Sequence, residues 1–287
     1  MRSRGLGNSG HSTAQDTAYA RFMSWLRAWG LLACLGLAAA APSCHLILSG
    51  LQRPEALLWH QGLYVAEAGA GRILFVGQSQ LPRILARGLK DPQALALGPQ
   101  GRLWVGLGDG SLGWLSKGHL VLAGKVPDPY ALAFVGSTLW VASYSQGVFA
   151  LPRRVPLYPS HGGRAWVARL LGPSHPLAMV LEGGNLWVAW RNTALLGFGG
   201  GAVLEYLHPH PGSPPQVGVS FRVPSLPLAL AVSGERIWVA LADGQILQVG
   251  GPEVHLPSPT ALAWGGGRLW VATVSQVYAC RWEGSSR

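Results

Sequence analysis

The stretch Pro259-Thr-Ala-Leu-Ala-Trp-Gly-Gly-Gly-Arg-Leu-Trp-Val-Ala272 carries a pattern that occurs six times in the chain. Each copy opens with Pro-x-Ala-(Leu/Met) and, after a short spacer, ends with (Leu/Ile)-(Trp/Tyr)-Val-(Ala/Gly). The copies begin at Pro54, Pro92, Pro129, Pro176, Pro227 and Pro259. Successive copies start 32 to 51 residues apart, which is the length of one four-stranded propeller blade. The repeat therefore predicts an all-β fold, a six-bladed β-propeller.

Each unit contains two apolar runs on either side of a turn with glycine, as Ala261–Trp264 and Leu269–Thr273 do in the last unit. Two such runs are typical of the first hairpin of a blade. Third and fourth strands follow, for example over residues 72–77 and 83–87 in the first unit. The last unit supplies only a third strand, at 276–282. One strand of the last blade is therefore missing from its own repeat.

The residues just before the first unit are suited to supply that strand. Leu46-Ile47-Leu48-Ser49-Gly50-Leu51 matches the fourth strands that precede other units, such as Leu120–Lys125. We expect residues 45–50 to complete the last blade, because this pairing leaves no open inner edge and joins the two ends of the chain. The aromatic residue of each second strand, Trp in five units and Tyr64 in the first, is expected to pack between blades.

A leader precedes the propeller. The apolar run at residues 31–41 follows Arg27 and is too short to span a bilayer comfortably, which is typical of a secretory signal. A polar stretch of 22 residues precedes Met23, so we expect translation to start at Met23. Residues 1–43 are interpreted as leader plus signal peptide, and residues 44–287 as one propeller domain. The predicted location is the periplasm or cell envelope; an uncleaved membrane anchor is the alternative.

Cys44 has two alternative roles. Ala41-Pro42-Ser43-Cys44 resembles a bacterial lipobox, whose cysteine carries a lipid and would anchor the protein to the membrane. If Cys44 instead begins the crossing strand, it lies near Cys280, and an oxidising compartment would allow a disulfide between them. Only one of these roles can use the Cys44 sulfur.

The charge of the chain is basic but dispersed. Four Arg and one Asp lie in the 43 residues before Cys44, so removing them lowers the formal charge from +10 to +7. The arginines are scattered rather than clustered with aromatic residues, which argues against nucleic acid as a partner. A protein partner or an anionic surface is expected instead.

Gly62-Leu-Tyr-Val-Ala-Glu-Ala-Gly-Ala-Gly-Arg-Ile73 resembles an NHL-type repeat. The span from Leu46 to Trp282 is similar to the six-bladed group that includes NHL proteins, streptogramin-lyase-like propellers and the gluconolactonase or senescence-marker family. This resemblance implies a propeller that hosts hydrolases, lyases or binding proteins. Gluconolactonase-type enzymes hold a divalent ion, such as calcium, in the central channel with a Glu, Asn and Asp set.

That ligand set does not map onto this chain. Arg53–Trp59 is similar to the segment with the first Glu of the set, but the order of Pro and Glu differs. Only Asn185 and Asn192 follow the leader, and Asn185 precedes Leu186 in a tight turn, where Asn is favoured for backbone reasons. No ordered match to the His and Glu residues of the lyases is present. We therefore predict no cofactor, and a divalent ion only under an enzymatic interpretation.

The loops between blades and between second and third strands lie on one face, over the channel, where propellers bind small ligands. The innermost strand brings to this channel the residue between Pro and Ala, which in the six units is Glu55, Gln93, Tyr130, Leu177, Leu228 and Thr260. Such a half-polar set suits a small organic ligand. His175 is the candidate general base, with Glu55 as acid and Tyr130 beside them. The candidate ligand-binding residues are Glu67, Gln93, Tyr144, Arg191 and Thr260.

The same face carries residues with an alternative interpretation. Asp109-Gly110 and Asp243-Gly244 are pairs typical of hairpin turns. Asp91 and Asp128 each precede a proline and are expected to begin turns. Trp190 is also expected on this face.

Two units are long because of insertions that we place between third and fourth strands, on the opposite face. Together they predict a basic rim formed by Arg153, Arg154, His161, Arg164, His208 and His210. A docking patch for a protein partner or an anionic surface is one interpretation. His208-x-His210 could also ligate a metal, but no third ligand is evident. The third alternative is loop variation without function.

These observations predict an exported binding or scaffold protein of the cell envelope. The alternative is a lactonase-like hydrolase or lyase that uses Glu55, Tyr130 and His175 around the channel.

Overall fold

The computed structural model describes residues 42–79, 81–151, 155–156, 174–192, 200–211 and 216–282. In this part of the chain, six four-stranded antiparallel sheets follow one another as blades of a propeller. The predicted fold class is confirmed. Among the residues described, no helix has the length and hydropathy needed to cross a membrane.

The strands follow the repeat. The first strand along the chain and those of blades 1 to 3 are β1 (Ser43–Leu48), β2 (Pro54–Trp59), β3 (Leu63–Glu67), β4 (Arg72–Val76), β5 (Pro82–Ala86), β6 (Pro92–Leu97), β7 (Leu103–Leu107), β8 (Ser111–Ser116), β9 (His119–Lys125), β10 (Pro129–Val135), β11 (Thr138–Ser143), β12 (Gly147–Leu151) and β13 (Val155–Pro156). Those of blades 4 to 6 are β14 (Ser174–Glu182), β15 (Asn185–Asn192), β16 (Gly201–Leu207), β17 (Gln216–Val223), β18 (Pro227–Ser233), β19 (Arg236–Leu241), β20 (Gln245–Gln248), β21 (Glu253–His255), β22 (Pro259–Gly265), β23 (Arg268–Thr273) and β24 (Val277–Arg281).

The last blade is completed by the start of the propeller, as the missing strand predicts. Its sheet has the order β1-β24-β23-β22, with β1 antiparallel to β24. The crossing strand begins at Ser43, two residues earlier than predicted. Cys44 lies directly opposite Cys280, and the two form a disulfide across 236 residues of sequence. In this structure the Cys44 sulfur therefore has the second of its two predicted roles.

The core lies between blades rather than within them. Trp238 of blade 5 is fully buried in a cluster with blade-6 residues and stacks on Trp264, with ring centroids 4.5 Å apart. Trp270 of blade 6 stacks in the same way on Trp59 of blade 1, at 5.1 Å. Tyr64 packs against a cluster that contains residues of blades 1 and 2. The predicted position of these aromatic residues between blades is confirmed, and it explains how small sheets share one core.

One blade differs from the prediction. Residues 153–164 were expected to form a loop between the third and fourth strands of blade 3. The structure instead pairs a two-residue fourth strand, β13, with β12, so that Val155 and Pro156 continue the sheet within that range. A strand so short has too little apolar alternation to be recognised in a sequence.

Every inner strand contains a bulge in the Pro-x-Ala motif. In blade 1, Pro54 pairs with Glu67 and Ala56 with Ala66, so that Glu55 has no partner in the register. The same shift occurs at the motif in each of the other five blades. A bulge leaves one residue unpaired and turns its side chain out of the ladder. The residue x of the repeat is therefore free to face the channel.

Candidate functional site

A cavity of about 370 Å³ occupies the propeller axis and is lined by the inner strands of all six blades. The bulged residues lie at the start of these strands, and we call this end of the cavity the mouth. Those in the cavity wall are Glu55, Tyr130, Leu177, Leu228 and Thr260. Polar groups thus come from blades 1, 3 and 6, and leucines from blades 4 and 5.

Arg53 connects the first two blades at the mouth. Its Nε lies 3.2 Å from Glu55 Oε1, and its other end forms an ion pair with Asp91. Gln93, the bulged residue of blade 2, donates from Nε2 to Asp91 Oδ2 at 2.8 Å. Both Arg53 and Asp91 hold positive φ angles, of 51° and 55°. Asp128 and Ser258, which also directly precede a motif proline, have positive φ angles of 47° each, so this conformation recurs with the repeat.

The Glu55 carboxyl is partly withdrawn from water. Burial raises its pKa above the ordinary value, and the negative charge of Asp91 adds to this effect, while Arg53 opposes it. A carboxyl with a raised pKa is suited to hold or release a proton nearer neutral pH. Among the carboxylates of the described mouth, Glu55 is the one in the cavity wall.

Aromatic rings connect blades 3 and 4. Tyr130 lies 5.7 Å from Tyr144 between ring centroids, and Tyr144 stacks on His175 at 4.3 Å with an interplanar angle of 12°. Arg191 donates from Nη1 to the Tyr144 hydroxyl at 2.9 Å. The Tyr144 ring therefore lies between Tyr130 in the cavity wall and the His175–Arg191 pair.

His175 has one ring nitrogen engaged by the backbone and lies away from the cavity wall. Its Nδ1 is 2.7 Å from the Tyr144 carbonyl oxygen, which can only accept, so Nδ1 donates this bond. His175, Tyr144 and Arg191 are not among the residues that line the described cavity. The structure thus brings Glu55 and Tyr130 together in the wall and places His175 behind Tyr144.

The charges around Tyr130 are negative. Burial raises the pKa of its hydroxyl, and the carboxylates of Glu55, Asp128 and Asp91 raise it further, together with Tyr144. The Tyr130 side chain is nevertheless well exposed, at 43%. The mouth therefore presents an aromatic ring in a region of negative potential.

Thr260 is in the wall, but its proton has a partner in the protein. Its hydroxyl donates to the Pro54 carbonyl oxygen at 2.5 Å and so links blade 6 to blade 1. The oxygen keeps acceptor capacity for a ligand.

The prediction that Glu67 binds a ligand requires a correction, because its side chain does not reach the cavity or the solvent. It is fully buried, its Oε2 lies 2.5 Å from Arg72 Nε, and its Oε1 accepts the Gln52 backbone N–H at 2.7 Å. These bonds fasten the segment that leads from the crossing strand into blade 1. Glu67 is thus a structural residue. Trp190, expected on the same face, is also fully buried.

The aspartates of the Asp-Gly pairs have the predicted turn geometry. Asp109 Oδ1 accepts the Ser111 N–H at 2.9 Å, and Asp243 Oδ1 accepts the Gln245 N–H at 3.1 Å. The bond from Ser111 is the main cause that lowers the pKa of Asp109. These carboxylates cap their own turns, as expected for Asx residues.

The opposite end of the molecule shows part of the predicted rim. Arg153, Arg154, His161 and Arg164 lie outside the described residues. His208 and His210 are exposed, and the His208 N–H donates to Asn185 Oδ1 at 3.0 Å. Asn185 in turn donates to Glu205 Oε1 at 2.8 Å. In the part of the chain described, no three His, Cys, Asp or Glu side chains come together to hold a metal.

Sequence reasoning missed the link between Arg53 and Asp91. Asp91 was placed on this face, but it was interpreted only as a turn residue. The two are 38 residues apart in sequence, and nothing in either segment specifies the other as its partner. The recurrent Pro-x-Ala motif was the available signal for the bulges, since Pro is found in sheets mainly at strand starts, edges and bulges.

Comparison with known proteins identifies the fold. Neither a family model nor a curated protein matches the sequence. Among solved structures, a gluconolactonase from Xanthomonas campestris is 15% identical with a TM-score of 0.63, over 87% of this chain and 92% of that one. An X-ray structure assigned to the gluconolactonases is 17% identical with a TM-score of 0.61, over 87% and 95%.

A further match is an inactive virginiamycin B lyase from Staphylococcus aureus with quinupristin, 12% identical with a TM-score of 0.50, over 84% of this chain and 99% of that one. The predicted similarity to the six-bladed gluconolactonase and streptogramin-lyase group is thus confirmed for the fold. At such identities the likeness carries no information about the substrate.

The described residues do not fit the ion site that a gluconolactonase-type propeller implies. Two carboxylates, those of Glu55 and Glu182, are in the wall of the described cavity. Glu55 is paired with Arg53, and Glu182, at the far end of its inner strand, accepts the Gly234 N–H at 2.8 Å. Asn185, at the opposite end, uses its amide on Glu205 and the His208 backbone. Hard divalent cations require several oxygen ligands that converge, and the described part of this mouth does not offer such a set.

Proposed function

We propose that the protein is an exported binding propeller that captures a small organic ligand at the mouth of its central cavity. The observation that carries this proposal is the set of side chains that three successive blades contribute there. Arg53, Glu55 and Asp91 form its charged part, and Tyr130 forms its exposed aromatic part. A concave, largely apolar site with a few convergent polar groups is the usual form of a small-molecule site.

The dimensions and rigidity of the cavity support a small ligand. Its volume of about 370 Å³ lies near the lower end for ligand pockets. The polar side chains at the mouth hold each other in position. Arg53 pairs with the carboxylates of Glu55 and Asp91, and Gln93 donates a hydrogen bond to Asp91. Side chains that are already positioned lose little conformational entropy when a ligand binds.

Export to the cell envelope is the second part of the proposal. The apolar run at residues 31–41 supports a cleaved signal. The bond between Cys44 and Cys280 also supports it, because disulfides persist mainly in oxidising compartments. Under this proposal the disulfide replaces a lipid anchor. Mass spectrometry of the protein from cell envelopes tests both: a mature form that starts near Cys44 with an intact disulfide is expected, and a diacylglyceryl adduct on Cys44 contradicts it.

The binding role can be tested with a fragment library. The protein starting at Pro42 is screened by thermal shift and ligand-observed NMR, alongside Tyr130→Ala and a control, His210→Ala, at the opposite end. Compounds that bind at the mouth should lose most of their effect in Tyr130→Ala and keep it in His210→Ala. Binding that is equal in both variants, or an absence of binders at millimolar concentration, contradicts the proposal.

A hydrolase or lyase of the lactonase-like class is the second candidate, and one observation favours it. Glu55 combines a place in the cavity wall with a raised pKa, as a general acid requires. Small lactones incubated with wild type and Glu55→Gln test this role. Turnover that falls at least about 100-fold in Glu55→Gln would support an acid role, and turnover unchanged by the substitution would exclude it.

Docking of a protein partner or an anionic surface at the basic rim remains a prediction. Its described members, His208 and His210, are both exposed. Capture by anionic vesicles at low salt, compared between wild type and a variant with both histidines replaced by Ala, tests their contribution. Equal binding of the two proteins would exclude these histidines from the interaction.

A further inference from the structure

We propose that the ligand captured at the mouth is an organic cation, an ammonium group on a compact apolar body. This inference rests on the proposed function, namely that the mouth binds a small molecule, and adds the chemical class. It follows from three features of the described residues: the balance of charge, the exposed Tyr130 ring and the position of the apolar wall.

The charge balance at the mouth is negative. One guanidinium, that of Arg53, is shared between the carboxylates of Glu55 and Asp91, so the three groups together carry one net negative charge. Asp128 adds a further carboxylate, on the residue before Pro129. An anionic ligand would meet these carboxylates, while the nearest guanidinium is already engaged. An ammonium ligand would restore neutrality.

Tyr130 offers the surface on which such a cation would rest. Its ring is in the cavity wall and its side chain is 43% exposed. The carboxylates of Glu55, Asp128 and Asp91 act on its hydroxyl, together with Tyr144. A cation over an aromatic face gains from the ring quadrupole, and more so where it is partly desolvated. Ring and carboxylates therefore favour the same sign of ligand charge.

A guanidinium of blade 4, that of Arg191, lies behind Tyr144 rather than in the cavity wall. Arg191 is held by the Tyr144 hydroxyl at 2.9 Å, and His175 is stacked on the Tyr144 ring. Neither lines the described cavity.

An apolar wall faces these polar groups. The bulged residues of blades 4 and 5 are Leu177 and Leu228, and both line the cavity. Below them the inner strands contribute mainly alanine, leucine and valine to the wall. A ligand with its ammonium near Tyr130 and Glu55 would place its hydrocarbon part against these residues. The apolar surface removed from water would add to the binding free energy.

Three probes with the same phenyl body test the class: 2-phenylethylammonium, 2-phenylethanol and 3-phenylpropionate. Their affinities for the protein starting at Pro42 are measured by titration calorimetry at pH 7 and low salt. The ammonium is expected to bind about tenfold or more tightly than the alcohol, and the carboxylate more weakly than either. Raising the salt concentration should weaken the ammonium alone.

Variants locate the interaction. Glu55→Gln and Tyr130→Leu should each weaken the ammonium about fivefold or more and change the alcohol little. Tyr130→Phe should retain the affinity, because the ring face is kept. His210→Ala is the matched control. If Tyr130→Leu does not fold, the cation class is still tested by Glu55→Gln, by Tyr130→Phe and by the three probes on wild type.

The outcomes separate this inference from the proposed function. If the alcohol or the carboxylate binds the mouth as tightly as the ammonium, the cation class is wrong and the binding role stands. The cation class is also wrong if none of the three binds while uncharged or anionic library compounds bind in a way that depends on Tyr130. If no compound of any class depends on Tyr130, both proposals fail.

Discussion

Breaking the disulfide between Cys44 and Cys280 should loosen the closure of the propeller without destroying it. The bond spans 236 residues, and for a loop of that length the chain-entropy relation gives a contribution of about 5.5 kcal/mol to the free energy of unfolding, which we take as an upper limit. The measured loss should be smaller, about 2 to 4 kcal/mol, because measured values often fall below this relation. Backbone bonds from Leu51 to Ser275 and from Arg53 to Val274 also remain in place near the closure.

Cys280→Ser and Cys44→Ser are the variants, measured by urea unfolding with and without a reductant. The melting temperature should fall by about 5 to 15 °C, because in a domain of this size each kcal/mol of lost stability lowers it by about 2 to 4 °C. Addition of reductant to wild type should reproduce the loss, and should leave the variants unchanged. A thiol titration that finds Cys44 and Cys280 free in protein purified from the envelope would refute the reasoning, as would an oxidised wild type whose unfolding midpoint does not respond to reductant.

Three further predictions concern single side chains. Glu67→Gln should lower the free energy of unfolding by about 1 to 3 kcal/mol, because it leaves the partly buried Arg72 without a counter-charge; urea unfolding at pH 7 measures this. Trp238→Ala should cost about 3 to 5 kcal/mol, since the ring is fully buried between blades. Glu55→Gln should be as stable as wild type or more stable at pH 7. The raised pKa of Glu55 means that its contribution to stability is present at acid pH and is lost as the pH rises through the folded-state value.

Control substitutions at exposed sites distinguish the predicted effects from those of the same kind of substitution at the surface. Glu253→Gln removes an exposed carboxylate and Leu122→Ala an exposed leucine, so each should change stability by no more than about 0.5 kcal/mol. The advantage of Glu55→Gln over wild type should shrink between pH 7 and pH 4. An advantage that grows toward acid would contradict the sign given for Glu55. A Glu67→Gln protein as stable as the Glu253→Gln control would contradict the structural role of Glu67.

Much of the architecture follows from the repeat alone. Six copies of one motif specify six blades, because neighbouring blades must bury the same faces against each other. The incomplete last unit predicts a crossing strand, and the structure places Cys44 of that strand opposite Cys280. The aromatic residue of each second strand is apolar and periodic, so its place between blades could be predicted without coordinates. All of these properties depend on patterns that are local or recur once per blade.

The candidate site depends on contacts that the repeat does not contain. Glu67 occupies the same place in its unit as Ser143 and Thr273 do in theirs, and only the positions of Arg72 and the Gln52 backbone show that its carboxylate is buried. Arg53 meets Asp91 across two blades, and nothing in either segment specifies this partner. Periodicity specifies which strands pair and which faces are buried. The direction of a side chain at a bulge, and the partner it meets from another blade, are decided only when the ring is closed.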